Sequence, residues 1–339
     1  MEDSNKQYAA RNITIGDIAE ELGLSKTTVS RAISGKGRIS ASTKLKVQEY
    51  IREHNYKPNV IAKGLAQSKT FNIGVILPAD ANLTEIPFFQ SCLMGICEEA
   101  ANLDYDVVVT TVKEDDLTLL KRLISNQKVD GIILTRSLVN DAPARYLKEV
   151  GIPFVMIGSS EDESIVQIDS NHIAGCCELT SILLMSGCKS LAFLAGNQNH
   201  IVNRNRYEGF LKAFTDMKVG MDESMIFMDM NNKMLIDRAI NTIMERHISC
   251  IVCSDDLICS RVLAKLDEEN YTIPNTIKVA SFYNSAHLES HNPPITALSI
   301  DVKDLGVTAA KRLIEMISGE QIIPKTWVNY EIVLKKSTK

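Results

Sequence analysis

Between residues 25 and 33 the sequence runs Ser-Lys-Thr-Thr-Val-Ser-Arg-Ala-Ile, and its spacing separates two tasks. Val29, Ala32 and Ile33 recur at helical spacing as an apolar stripe, which leaves Lys26, Thr27, Ser30 and Arg31 on the outer face. That face is rich in hydrogen-bond donors. Lysine and arginine can donate to guanine O6 and N7, and threonine can reach a base edge or touch a thymine methyl. Such chemistry needs the N-terminal end of the helix held in a groove, and neighbouring elements must hold it there.

The preceding residues supply a first helix. Thr14 is a cap residue, with Asp17 three positions on to complete a capping box. Ile18, Ala19 and Leu22 form its apolar face, Gly23 offers the left-handed conformation that ends a helix, and Ser25 caps the next. The pair reads as a helix-turn-helix, although two ordinary surface helices would share this local pattern. A third helix is predicted from about Ser42 to His54, stopped by Tyr56-Lys57-Pro58-Asn59. Residues 1–69 carry 12 basic against 7 acidic side chains, whereas residues 70–339 carry 25 against 35. A basic head on an acidic body fits a nucleic-acid module joined to something that does not bind nucleic acid.

From Phe71 onward, short apolar runs alternate with helical stretches: FNIGVILP, YDVVVTT, VDGIILT and PFVMIG, then SLAFLAG, CIVCSD and KVASFY. Alternation of this kind predicts parallel sheets covered by helices on both faces, here as two successive series and so two similar subdomains with a cleft between them. The 45% hydrophobic content is ample for such cores. No apolar run is long enough to span a bilayer and the N-terminus MEDSNKQYAARN has no secretory character, which predicts a cytoplasmic protein that does not engage membranes.

The eight cysteines lack zinc-site spacing, and Cys250 and Cys253 lie in a strand that points them to opposite faces or into a buried sheet, so reduced core thiols are expected, with no metal and no cofactor. No Walker loop, dinucleotide fingerprint, GxSxG elbow or HExxH occurs, and the six histidines are scattered, so no catalytic site and no enzyme are expected.

The ordered series TIGDIAEELGLSKTTVSRAISGK, then ISASTKLKVQEYIREHNYKPNVIAKGLAQSKTFNIGVILP, closely resembles the LacI/GalR family of bacterial repressors, and the resemblance runs essentially the full length of the chain. It implies an all-α N-terminal helix-turn-helix domain (1–58), a hinge helix and linker (59–69), and an α/β periplasmic-binding-protein-like body of two doubly wound subdomains (70–339). Subdomain one would take about 70–162 plus 294–321, and subdomain two about 163–293 plus 322–339. By the same resemblance Lys26, Thr27 and Arg31 read bases, while Thr14, Ser25, Thr28, Ser30 and Asn59 hold phosphates. The hinge would order on DNA and place Ala62 and Leu65 in the minor groove, where a leucine wedge kinks the duplex. A segment this short, weakened by Gly64, is not a stable helix alone, which suits coupled folding on binding.

For the cleft, the resemblance implies an aromatic patch at Phe88 and Phe89, which could equally be helix core. It implies Arg206, from the RxxG pattern of Arg206-Tyr207-Glu208-Gly209, as a donor to ligand. Asp255 would accept from ligand hydroxyls while Asp256 capped the helix that follows. Gly158 and Tyr283 stand where many members have aspartate, and Asp169 is a further candidate. These departures, with IPFF, PFVMIG and SFYNS, resemble the maltose-operon repressor branch, whose members sense alpha-glucosides. The expected partners are therefore a near-palindromic double-stranded operator, a small-molecule effector of sugar type, and a second copy of the chain. A purine-like corepressor or a protein partner is the alternative effector. The LKKSTK ending carries no leucine-heptad tail of the kind that makes tetramers, which predicts a dimer.

Overall fold

The computed structural model describes residues 13–339 apart from 36, 55, 57–63, 66, 81–86 and 114–115. The chain divides into two compact units, Met1–Thr70 and Phe71–Lys339.

In the first unit the caps anticipated from the sequence set the helix ends. The helix α1 (Ile15–Glu21) begins at Thr14, whose amide donates to Asp17 Oδ2 at 2.7 Å while the Asp17 amide donates to Thr14 Oγ1 at 3.3 Å. Gly23, at φ +63°, turns the chain out of the helix, and the Leu24 amide returns to the Ala19 carbonyl at 2.8 Å. The helix α2 (Lys26–Ser34) is capped by Ser25 and ends at Gly35 in the left-handed conformation. The helix α3 (Ala41–Glu53) is capped by Ser40, so it starts and stops one residue earlier than expected. Ile18, Ala19, Val29, Ala32 and Val47 meet in one core, closed by Tyr56. Ile18 is fully buried, which contributes about 1.5–3 kcal/mol to a unit with few such residues.

The second unit contains two lobes, each a six-stranded sheet sandwiched by helices. Lobe one holds β1 (Asn72–Pro78), α4 (Pro87–Asn102), β2 (Asp106–Val112), α5 (Thr118–Ser125), β3 (Gly131–Leu134), α6 (Ala142–Val150), β4 (Phe154–Ile157) and β5 (Val166–Ser170). Lobe two holds α7 (His172–Met185), β6 (Leu191–Leu194), α8 (Ile201–Met217), β7 (Ile226–Phe227), α9 (Lys233–Glu245), β8 (Cys250–Cys253), α10 (Asp256–Glu268), β9 (Lys278–Ser281), α11 (Ala286–Ser290) and β10 (Thr296–Ile300). The chain then returns to lobe one through α12 (Val302–Ile317) and β11 (Lys325–Val328), and ends with β12 (Tyr330–Val333) in lobe two.

The sheet orders are β11-β5-β4-β3-β1-β2 and β12-β10-β9-β8-β6-β7, the same winding used twice. Among the described residues the strand pairings within the two sheets are parallel except β10 with β12. The parallel strands are apolar throughout because helices cover both faces: in β1, Ile73, Val75 and Leu77 face α4 and α12, while Ile76 belongs to the core under α5 and α6. Cys250 and Cys253 fall into different cores on the two faces of the second sheet, as strand alternation requires. The helices α4 and α12 cross closely at two glycines; a Cβ on Gly95 would lie 2.1 Å from the Lys303 carbonyl oxygen, and one on Gly306 would lie 2.1 Å from that of Cys92.

The sheets divide the chain differently from the subdomain ranges expected. Residues 166–170 and 325–328 belong to lobe one and 296–300 to lobe two, so the chain crosses near 170–172, 300–302 and 328–330, not near 162, 293 and 321. The expected boundaries sat in polar loops, whereas each strand completes the sheet before the chain crosses: Ile168 pairs with Ile157, and Leu298 pairs with Ile332. In this winding, ligands bind beyond the strand carboxyl ends, and those ends from both sheets supply the residues described next.

Candidate functional site

On α2, Lys26, Thr27, Ser30 and Arg31 are exposed and Val29 is fully buried, as the spacing required. Two glycines support the long side chains. A Cβ on Gly16 would come within 3.2 Å of Lys26 Cε, and one on Gly37, at φ +91°, within 3.3 Å of Arg31 Cδ. Thr14 and Ser25 use their hydroxyls to cap α1 and α2, the latter accepting from the Thr28 amide at 3.1 Å. Thr28 is half-buried with its hydroxyl 2.8 Å from that of Ser25. Of the expected hinge, Asn59 and Ala62 lie outside the described residues; Gly64, Leu65 and Gln67 have helical backbone, and Leu65 is 85% exposed.

Between the lobes lies an open cavity of about 670 Å³. Lobe one contributes Pro87 and Ser91 from α4 and Val302 from α12; lobe two contributes Asp256 and Ser260 from α10 and the stretch beginning at Tyr283. Tyr283 reaches across the cleft. Its ring packs edge-on against Phe88 with centroids 6.2 Å apart, and it joins the lobe-one core beside Cys92. Burial, and secondarily the Asp256 carboxylate, raise the Tyr283 phenol, so it remains a neutral donor. Burial, and then the adjacent Asp255, raise the Asp256 carboxyl, while Ser285 and Arg206 pull it part of the way back.

Arg206, on α8, is only 7% exposed, and its Nε has no hydrogen-bond partner among the described residues. Among the described residues it forms no ion pair, although its field reaches Asp256, Tyr283 and Cys176. Asn203 Oδ1, also on lobe two, is likewise buried without a partner among the described residues, whereas Ser285 is close enough to Asp256 to lower its carboxyl. Arg206 and Asn203 do not themselves line the cavity, but Asp256 and Tyr283, which do, lie within reach of the guanidinium's field. A guanidinium edge left unsatisfied behind that wall favours a ligand rich in hydroxyl groups, which can both donate and accept.

Several expected ligand residues have other roles. Asp255 is the cap of α10: its carboxylate accepts from the Ile258 amide at 2.8 Å and from Ser254 Oγ at 2.9 Å, and it is Asp256 that lines the cavity. The expected division of labour is therefore reversed, because the helix starts at the second aspartate and its orphan amides claim the first. Phe89 is buried at 9% in the lobe-one core, which leaves Phe88, half-buried, as the aromatic at the cleft. Gly158 has φ +116°, and a Cβ there would stand 2.6 Å from Ser137 Oγ, so its lack of a side chain admits Ser137, not a ligand.

Asp169 is 4% exposed and already saturated. Ser159 Oγ donates to it at 2.7 Å, the Ser170 amide at 2.8 Å, and His172 Nε2 lies 3.3 Å away. Burial would raise its carboxyl, but His172, Ser159 and the Ser170 amide outweigh that and hold it below the usual range. Among the described residues no group of three His, Cys, Asp or Glu side chains is placed to hold a metal ion, and no helix is long and apolar enough to cross a membrane.

Residues 14–59 match the family of bacterial regulatory proteins described as lacI, and residues 70–331 match the periplasmic binding proteins and sugar binding domain of the LacI family. The chain belongs to the LacI family. Among its relatives in that family, a regulator named MalR from Staphylococcus xylosus is 31% identical over 317 residues, covering 92% of this chain and 93% of the relative. A MalR from Streptococcus pneumoniae is 27% identical over 338 residues, covering 95% and 99%. Among solved structures, the Lac repressor dimer bound to operator and an anti-inducer superposes with a TM-score of 0.77 at 23% identity, covering 97% of this chain and 99% of that one. The LacI-family fold thus extends over both units of the chain.

Proposed function

We propose that the chain is a sequence-specific transcriptional repressor, not an enzyme, that acts in the cytoplasm as a homodimer on a near-palindromic operator and is controlled by a sugar of the alpha-glucoside, maltose type. The observation that carries the DNA half is the exposed donor row of α2, Lys26, Thr27, Ser30 and Arg31, held over a capped and fully packed first helix. In this reading Lys26, Thr27 and Arg31 read base edges, and Ser30, Thr28, Asn59 and the capped helix starts at Thr14 and Ser25 hold the backbone. Exposure of Leu65, a large apolar side chain, supports its use with Ala62 as a minor-groove wedge.

The effector half rests on the cleft. Arg206 donates to ligand oxygens, Asp256 accepts from hydroxyls, and Phe88 with Tyr283 offers an apolar edge to a pyranose C–H face. The cavity, about 670 Å³ and open to solvent, is roomy enough to admit a disaccharide. The relatives named MalR, and a solved regulator in complex with cellobiose, support a disaccharide over a single hexose. The test is the melting temperature of the full chain with maltose, maltotriose, cellobiose, glucose and purines, followed by fluorescence anisotropy on operator DNA with any compound that binds. A shift with maltose or maltotriose, and a change in operator affinity with the same sugar, is the expected result. Silence to every sugar with a response to a purine would overturn the effector half and leave the DNA half standing.

A further inference from the structure

The two lobes are joined at a place the effector reading does not use. The loop after β3 and the loop after β6 meet edge to edge: the Val139 amide donates to the Asn199 carbonyl at 3.0 Å, the Ile201 amide donates to the Ser137 carbonyl at 3.3 Å, and Leu138 and His200 form an isolated antiparallel bridge. The first loop belongs wholly to lobe one and the second wholly to lobe two. Neither loop lines the large cavity.

Each half of this junction is held in shape by its own lobe. On lobe one, Asp141 accepts from the Leu138 amide at 3.1 Å and from the Ala144 amide at 2.8 Å, which ties the loop to the start of α6. On lobe two, Asn197 Oδ1 accepts from the Asn199 amide at 2.8 Å, Asp229 binds the Gln198 amide at 3.0 Å, and Arg204 Nε donates to the Gln198 carbonyl at 2.9 Å. Two loops fixed in this way present paired backbone groups with little ordering left to do when they meet. Ser137 and Leu138 are 5% and 6% exposed and Ile201 is 8% exposed, so parting the lobes here would bare apolar surface as well as amides. Gly158 is part of the arrangement, since a side chain there would strike Ser137.

We infer that residues 137–139 and 199–201 form a backbone strap that holds the two lobes closed in the effector-free chain. Opening the cleft therefore requires both hydrogen bonds to break together. The strap is a discrete, two-state contact of the kind that lobe closure needs, and its two hydrogen bonds run between main-chain atoms.

Ile201 allows a selective test because it is the first residue of α8, where proline is compatible with the helix and removes only the N–H. Ile201→Pro deletes the hydrogen bond to Ser137, whereas Ile201→Ala deletes a comparable side chain and keeps it. Amide hydrogen exchange is read in the full chain without effector or DNA, so the outcome is independent of the proposed function. In the wild-type chain the Val139 and Ile201 amides should exchange far more slowly than exposed loop amides. Loss of one hydrogen bond should speed exchange at Val139 roughly three- to tenfold in Ile201→Pro, with little change in Ile201→Ala. Exchange at Val139 as fast as an exposed loop in the wild-type chain would overturn the strap, and that comparison needs no variant to fold. Equal acceleration by the alanine and proline variants, or none in either, would overturn it as well.

Discussion

Replacing Asp255 and Asp256 separately should give opposite results, although they are adjacent and chemically identical. Asp255→Ala removes the carboxylate that accepts from the Ile258 amide at 2.8 Å and strands the Ser254 hydroxyl. Loss of such a cap costs about 1–2 kcal/mol, which in a unit of this size lowers the melting temperature by about 2–8 °C. Asp256→Ala removes a carboxyl that the fold holds at a raised pKa, first by burial and then through Asp255. A raised acid stabilises the fold only where it is protonated: its contribution is complete below the ordinary aspartate range and is lost as pH rises through the folded value. At neutral pH, Asp256→Ala should therefore leave the effector-free chain as stable as the wild type or slightly more so, and this advantage should shrink as the pH is lowered through the raised value. The assay is differential scanning fluorimetry of both variants between pH 4 and 8, with and without the sugar that shifts the wild type. Asp255→Ala should melt lower yet keep the sugar response, and Asp256→Ala should melt normally and lose it. The opposite pattern, with Asp256→Ala the less stable variant and still responsive, would refute the assignment of cap and ligand group.

Arg206→Met replaces a buried cation that forms no ion pair among the described residues, so the effector-free melting temperature should hold or rise while the sugar-induced shift disappears. Gly158→Ala forces a Cβ to within 2.6 Å of Ser137 Oγ at a φ of +116°, and a loss of about 1–3 kcal/mol in urea unfolding is expected. Thr14→Ala breaks the capping box of α1 and should cost about 1 kcal/mol, seen as weaker operator binding as the temperature rises. Leu65→Ala should weaken specific operator binding much more than binding to random DNA in competition anisotropy; equal losses on both would argue against the wedge.

The three described helices α1 to α3 of the first unit were legible in the sequence. Its elements are short and local, and their ends are fixed by side chains three residues from the amides they cap, as with Thr14 and Asp17 or Ser25 and Thr28. The alternating apolar runs of the body likewise predicted two doubly wound sheets, because a strand buried on both faces must be apolar throughout.

The sequence could not say which sheet a strand near a crossing joins. The runs at 166–170 and 296–300 have the same character wherever they pair, and only the partners Ile157 and Ile332 decide it. The cleft was less legible still. Two neighbouring aspartates differ only in which one meets the first amides of α10, and Gly158 looks like a vacancy for a ligand until Ser137, twenty-one positions earlier, is seen to fill it. Caps, turns and amphipathic faces are contracts between near neighbours in the chain, which composition and spacing record. Ligand groups, lobe crossings and the strap between 137–139 and 199–201 depend on side chains and backbone brought together from distant strand ends, and packing alone decides those meetings.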